Sequence, residues 1–120
     1  MNTDEIAELT EQSVRDLIRV RTEGSEPFPG HERRRAARWP FPGTVEIQSA
    51  DGEPGQWFAT CRNISETGLG MACDRGFDQN SLLEIAIHLP EATLYGRAIV
   101  RYCQGTPAGF MTGIEFLYPE

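Results

Sequence analysis

The sequence predicts an all-β core: a six-stranded antiparallel β-barrel preceded by an N-terminal amphipathic helix. Two observations favour this fold class. Short β-rich runs follow one another from residue 44 to the end of the chain, with turn residues about every 8 to 12 positions. The clearest run, 83–89, alternates apolar and polar residues with a period of two, as a half-buried strand does. A β-sandwich is the alternative that this pattern leaves open.

Residues 4 to about 22 have the pattern of one amphipathic helix. Residues of one face recur at steps of three and four in an otherwise charged segment: Ile6, Leu9, Ser13, Leu17 and Val20, with the apolar Val14 and Ile18 beside them. Asn2 or Thr3 is the expected cap, and Gly24 the expected end. We expect the apolar stripe either to pack on the barrel or to pair with a second copy in a homodimer, because nothing in the helix distinguishes the two.

Composition favours one small domain. The 120 residues are divided into an N-terminal helix (1–23), a linker rich in proline and glycine (24–31) and a barrel domain (32–120). The acidic N-terminus does not resemble a signal peptide, and no apolar run approaches the roughly 20 residues that a membrane span needs. We therefore expect a cytoplasmic protein without membrane insertion.

Six strands account for the rest of the chain. They are expected at 44–48, 57–62, 69–72, 83–89, 94–103 and 110–117. Asp51-Gly52 and Pro54-Gly55 mark one turn, and 105–109 marks the last turn. The segments 63–68 and 74–80 are polar and are expected to be loops.

The charge pattern favours a local anion site. Eighteen acidic residues against eleven basic ones give a net charge of −7, which argues against a DNA-binding surface. Four arginines nevertheless lie within residues 33–38. We expect an anionic ligand at that cluster and no DNA partner.

No catalytic or metal-binding pattern is present in the sequence. Cys61, Cys73 and Cys103 form no C-x-x-C pair, and His31 and His88 are far from any ligand spacing, so buried free thiols are the expectation. Nucleophile-elbow, H-E-x-x-H and P-loop motifs are missing as well. We therefore expect no enzyme, no metal and no cofactor.

Two short segments have the chemistry of a binding site. In Arg34-x-x-x-Arg38, each guanidinium can bind phosphate or a guanine edge through two parallel hydrogen bonds. A solvated basic surface is the alternative for that segment. In Asn63-Ile64-Ser65-Glu66-Thr67-Gly68, the amide and hydroxyl donate and accept, while Gly68 permits positive φ and close backbone approach. A tight turn with an Asx hydrogen bond is the alternative there.

Together these segments resemble the motifs of the PilZ domain family, R-x-x-x-R before the first strand and [D/N]-x-S-x-x-G about 25 residues later. The resemblance covers about residues 32 to 118 and includes the later strands Gly96–Arg101 and Gly113–Phe116. Here the second motif begins with Asn rather than Asp. The amphipathic helix precedes the barrel, whereas many relatives have a helix after it.

The resemblance implies a six-stranded barrel that binds cyclic di-GMP. Arg34 and Arg38 would bind phosphate and guanine edges. Either Arg33 or Arg35 would support a second ligand molecule, and Arg33 is the one expected at the site. Asn63, Ser65 and Gly68 would hold the other side of a guanine.

The expected function is a receptor or adaptor. Ligand phosphates would neutralise the arginine segment and draw it onto the barrel, and the change would signal to an unidentified effector protein. A PilZ-like interaction module that binds no nucleotide is the first alternative. A single-stranded nucleic-acid binder is the second, although the net charge disfavours it.

Overall fold

Residues 6–22, 39–90 and 92–119 are described by the structure, a computed structural model. Along the chain lie β1 (Ile6–Glu8), α1 (Glu11–Thr22), β2 (Trp39–Ala50), β3 (Glu53–Ile64), β4 (Gly68–Cys73), β5 (Leu82–His88), β6 (Thr93–Thr106) and β7 (Gly109–Leu117). Residues 23–38 lie outside the described part, so the expected linker 24–31 and the start of the 32–120 domain are not tested by it.

Strands β2 to β7 close into an antiparallel barrel. The strand order is β6-β5-β2-β3-β4-β7, and β7 pairs back onto β6. Closure confirms the predicted barrel and excludes the sandwich. The inward-facing side chains of all six strands form one core, whose largest fully buried members include Ile47, Ile64, Met71, Leu83 and Ile85.

The β2–β3 hairpin turns at Asp51-Gly52, as the sequence predicts. Both residues have positive φ, 51° and 82°, which suits the tight turn that joins two antiparallel strands. A turn at Pro54-Gly55 was also expected, and that prediction is wrong because both residues lie inside β3. Pro54 is tolerated there because β4 pairs with β3 only from Ala59 onward, so no neighbouring strand on that side needs its missing N–H.

The helix begins later than the sequence pattern suggests. Residues 6–8 were expected to be helical, but they form β1, which pairs in parallel with Thr93–Tyr95 of β6. The edge of β6 is open there because the pairing with β7 ends at Arg97, opposite Leu117. β1 occupies that edge, and the N–H of Leu9 continues the pairing by donating to the carbonyl of Tyr95 at 2.7 Å.

A reciprocal pair of hydrogen bonds starts α1. The N–H of Ser13 donates to Oγ1 of Thr10 at 3.0 Å, and the N–H of Thr10 donates to Oγ of Ser13 at 2.9 Å. This arrangement satisfies two backbone donors at the helix N-terminus. Thr10, not Asn2 or Thr3, is therefore the cap.

Replacing Thr10 with alanine is expected to lower the free energy of unfolding by about 1 kcal/mol, because one capping acceptor is lost. Urea denaturation measures the change. Thr3→Ala is the matched control and should have little effect. If Thr3→Ala destabilised the protein and Thr10→Ala did not, the assigned helix start would be wrong.

Part of the apolar stripe packs on the barrel of its own chain. Leu9, Val14 and Ile18 are 1%, 0% and 7% exposed and belong to the barrel core, whereas Ile6 and Val20 are 69% and 63% exposed. Leu9 fits over Gly96 of β6, where an added Cβ would lie 2.5 Å from the Cβ of Leu9. Of the two expectations for this helix, the structure supports packing on the barrel. Within the described ranges, no helix is both long and apolar enough to cross a membrane.

The three cysteines are free thiols, and Cys61 and Cys73 are buried as expected, while Cys103 is half-buried. Burial raises the pKa of the Cys61 thiol to about 12. That thiol is therefore protonated at neutral pH and is a poor nucleophile.

A polar network on the outer surface of the barrel surrounds Glu46 of β2. Its carboxylate accepts a hydrogen bond from Gln56 at 3.2 Å and lies 2.8 Å from Nε2 of His88. These hydrogen bonds, that of His88 first, hold the pKa of Glu46 below its ordinary value of 4.5.

Acidification is expected to remove the stability that this network contributes. Because the folded pKa of Glu46 is depressed, the contribution is complete above about pH 4.5 and is lost as the pH falls through the folded pKa. Urea denaturation at a series of pH values should show a shallower acid dependence for Glu46→Gln than for the wild type. The exposed Glu53→Gln is the control. Equal acid dependence in Glu46→Gln and wild type would contradict the assignment.

Candidate functional site

A cleft of about 170 Å³ opens on the outer surface of the barrel between the β3–β4 turn, β6 and β7. Asn63, Ser65 and Gly68, the expected site residues that the structure describes, all line it. Thr67 of the same turn, with Arg101, Tyr102 and Glu115 from the neighbouring strands, also lines the cleft. The second motif and two distant strands therefore share one recess.

A β-bulge in β3 places Asn63 at the cleft. The pairing of β3 with β4 shifts between Cys61 and Asn63, so Arg62 is exposed and Asn63 next to it is half-exposed. Gly70 stands opposite Asn63 in β4, and an added Cβ there would lie 2.9 Å from Nδ2 of Asn63. The absence of a side chain at Gly70 makes room for the Asn63 amide against β4.

The β3–β4 turn is tight and is stabilised by its own serine. The N–H of Ser65 donates to the carbonyl of Gly68 at 2.8 Å, and the N–H of Thr67 donates to Oγ of Ser65 at 3.2 Å. Oγ of Ser65 also lies 3.1 Å from Oγ1 of Thr67. Ser65 is 6% exposed. Its hydroxyl stabilises the turn through these hydrogen bonds, and the residue also forms part of the cleft wall. Ser65, rather than Asn63, provides the side-chain hydrogen bond that the tight-turn alternative expected.

Gly68 is required because two backbones approach closely. A Cβ added at Gly68 would lie 2.0 Å from the carbonyl oxygen of Ile114 in β7. Its φ is not positive, since Gly52 and Gly109 are the positive-φ glycines of the described chain. Of the two reasons for glycine that the sequence suggests, close approach is correct and positive φ is wrong.

A second bulge turns two neighbouring residues of β6 outward. The pairing of β6 with β7 shifts between Val100 and Tyr102, so Arg101 and Tyr102 are both exposed. The ring of Tyr102 covers Gly113, where an added Cβ would lie 2.1 Å from Cε1 of the ring. Tyr102 is 41% exposed and forms an aromatic wall of the cleft.

Charge inside the cleft is balanced. Nε of Arg101 donates to Oε1 of Glu115 at 2.9 Å, and this hydrogen bond raises the pKa of the Arg101 guanidinium above its ordinary value. One cation and one carboxylate thus face an amide, two hydroxyls and an aromatic ring. Such a surface suits a planar polar base better than a phosphate, because the base can stack on the ring and both donate and accept.

Sequence reasoning missed most of the residues that β6 and β7 contribute. Arg101 has no role in the site that the sequence predicts, and Tyr102 and Glu115 are not among its expected residues. Regular alternation would put adjacent residues on opposite faces, so only the bulge brings Arg101 and Tyr102 to the same side.

The arginine residues expected at the site, Arg33, Arg34 and Arg38, lie outside the described residues. The described chain resumes at Trp39, which begins β2 and pairs with Ile64, and Pro40 pairs with Asn63. The start of β2 therefore lies beside the N-x-S-x-x-G turn.

Two solved structures share this fold. An inhibitor of motility from Bacillus subtilis (MotI/DgrA) superposes with a TM-score of 0.59 at 23% identity, over 73% of this chain and 44% of that one. The PilZ domain of YcgR from Escherichia coli, solved with c-di-GMP, superposes with a TM-score of 0.59 at 12% identity, over 71% of this chain and 78% of that one. The chain thus spans less than half the length of the Bacillus protein.

Sequence comparison identifies the family. No curated protein matches the chain. The PilZ domain family matches residues 32–120, a region that contains both motifs and every strand of the closed barrel. The match covers well over half of the sequence and agrees with the motif resemblance and the barrel topology. The chain belongs to the PilZ domain family.

Proposed function

We propose that this protein is a cyclic di-GMP receptor that acts on an effector protein. The observation that carries the proposal is the cleft that Asn63, Ser65 and Gly68 of the N-x-S-x-x-G motif line together with Tyr102 of β6. The R-x-x-x-R motif, about 25 residues earlier in the sequence, would act on the same ligand. Family membership and the YcgR domain solved with c-di-GMP support the same ligand.

The two parts of the site suit different parts of this ligand. One guanine would lie in the cleft, against Tyr102, with the Asn63 amide and the Glu115 carboxylate as hydrogen-bonding groups. The cleft's volume of about 170 Å³ is below the roughly 300–1,000 Å³ of ordinary small-molecule pockets, so most of the dinucleotide would extend beyond it. Arg34 and Arg38 would bind the phosphates and the second guanine, and Arg33 would support a second ligand molecule.

Signalling would follow from neutralisation of the arginine segment by the ligand. Four arginines within residues 33–38 repel one another, and ligand phosphates would neutralise them. The segment would then change its position on the barrel and present a new surface to a cytoplasmic effector. The Bacillus relative is an inhibitor of motility, so motility proteins are the first partners to screen.

Nuclear magnetic resonance tests where the ligand binds. Adding cyclic di-GMP to ¹⁵N-labelled protein should shift the backbone amides of Asn63–Gly68 and of Arg101 and Tyr102, while amides on the opposite wall, such as those of Glu46 and Ile47 in β2, should move little. GMP at the same concentration is the control. Shifts confined to β2, or equal shifts with GMP, would contradict the assigned site.

A further inference from the structure

The N-x-S-x-x-G turn is held from outside by a residue that follows the last strand. The hydroxyl of Tyr118 donates to the carbonyl of Glu66, at the tip of the turn. Packing fixes the tyrosine, since its ring centroid lies 5.7 Å from that of the buried Phe116. The N–H of Phe116 donates in turn to the carbonyl of Thr67 at 2.8 Å. Both carbonyls at the tip are thus fixed by the end of the chain's last strand.

Helix α1 contacts the same turn. Nε of Arg15 lies 3.2 Å from Oε1 of Glu66, and the Arg15 guanidinium is oriented by Glu11 at 2.6 Å. The helix cannot easily move away from this contact, because Val14 and Ile18 are buried in the barrel core. An exposed ion pair contributes little by itself, so the tyrosine is the stronger of the two contacts.

We propose that Tyr118 and Arg15 are positioning residues for the ligand, a proposal that rests on the proposed function. Their hydrogen bonds, ion pairs and ring contact are with Glu66, Glu11 and Phe116, none of which we assign to ligand contact. They hold the Glu66–Thr67 backbone, and through the Thr67 contacts to Ser65 they keep Asn63–Gly68 in the binding conformation. An ordered turn binds the ligand more tightly because little further conformational entropy is lost when the ligand binds.

Two physical points support this role. Burial and the nearby Glu11 and Glu66 carboxylates raise the pKa of the Tyr118 hydroxyl, so it stays a donor throughout the ordinary pH range. A shallow recess that contains Arg15, Glu66 and Tyr118 also shares Thr67 and Glu115 with the cleft. The contacts of Tyr118 and Arg15 with Glu66, which we call the clamp, therefore lie next to the site. Coupling of this kind is reciprocal, so bound ligand should in turn protect α1.

Tyr118→Phe tests the clamp because it removes one hydroxyl and keeps the ring. We expect cyclic di-GMP affinity to fall about three- to tenfold and hydrogen exchange at the Thr67 amide of the free protein to accelerate by a similar factor. Tyr95→Phe, at an exposed tyrosine of β6 outside the cleft, is the matched control and should change neither.

Arg15→Gln tests the contribution of the helix. We expect about a twofold loss of affinity, with no loss in Arg19→Gln, whose guanidinium binds Asp16 of the same helix. In the wild type, saturating ligand should slow amide exchange in α1, and Arg15→Gln should reduce that protection. A merely structural role would lower the thermal midpoint and leave both the affinity of the folded protein and the protection unchanged.

The two proposals fail in different ways. Unchanged affinity and unchanged Thr67 exchange in Tyr118→Phe would overturn the clamp and leave the receptor function intact. If the wild type bound no cyclic di-GMP, the receptor function would fail and the ligand-positioning role would fail with it. The Thr67 exchange rate would then show whether Tyr118 still orders the turn.

Discussion

Replacing Arg34 or Arg38 with alanine is expected to weaken cyclic di-GMP binding by about 1.5–3 kcal/mol, roughly 10- to 150-fold. Each guanidinium would make charge-assisted hydrogen bonds to phosphate or guanine, and these are stronger than neutral hydrogen bonds. The cleft cannot compensate, because its Arg101 is already bonded to Glu115. Titration calorimetry on each variant and on the double variant measures the loss.

Arg97→Ala is the matched control for these variants. Arg97 lies on β6 outside the cleft and carries the same charge, so its removal changes the net charge equally and should leave the affinity nearly unchanged. Arg38→Lys separates charge from geometry. Lysine keeps the positive charge but cannot form two parallel hydrogen bonds, so affinity should recover only in part. Wild-type affinity in both alanine variants would refute the arginine assignment.

Replacing Gly68 with alanine should destabilise the fold itself, by about 2–4 kcal/mol. The new methyl group would lie 2.0 Å from the carbonyl oxygen of Ile114, which is backbone and cannot rotate away. β4 and β7 would have to separate at Gly68, whose carbonyl accepts the hydrogen bond from the N–H of Ser65. We therefore expect lower stability in urea denaturation and, in the protein that remains folded, weaker ligand binding.

Gly105→Ala is the control for the effect of glycine itself. Gly105 also lies in a strand and has no positive φ, and an added Cβ would be 3.9 Å from its nearest neighbour, in Phe110. The substitution should leave stability close to that of the wild type. If Gly68→Ala were as stable as Gly105→Ala, the close approach of β4 and β7 would be disproved.

Much of the fold follows from local chemistry that is visible in the sequence. The alternation of Leu83, Ile85 and Ile87 with more polar residues marks β5, and an Asp-Gly pair marks the β2–β3 turn. Both signals are local, because period-two burial and positive φ depend on adjacent residues. The start of α1 was missed because Ile6 and Leu9 also fit a helical period. The open edge of β6, which makes Ile6–Glu8 a strand, is a property of the assembled barrel.

The site was predictable only where it lies in continuous motifs. Asn63, Ser65 and Gly68 form one turn, so the sequence identifies all three. The position of Tyr102 at the cleft depends on a register shift between β6 and β7, which no local sequence pattern predicts. The clamp by Tyr118 joins residues 52 positions apart and depends on barrel closure. The arginine motif is visible in the sequence, and its residues lie outside the part of the chain that the structure describes.

Isothermal titration calorimetry of the full chain with cyclic di-GMP, with GMP as the control, tests the central claim most directly. The account predicts saturable heat with cyclic di-GMP alone and a stoichiometry of one or two ligands per chain. A value of two would support the second ligand molecule expected at Arg33. No heat at several temperatures, together with no shift of the thermal midpoint, would contradict the receptor function and favour the alternative of an interaction module.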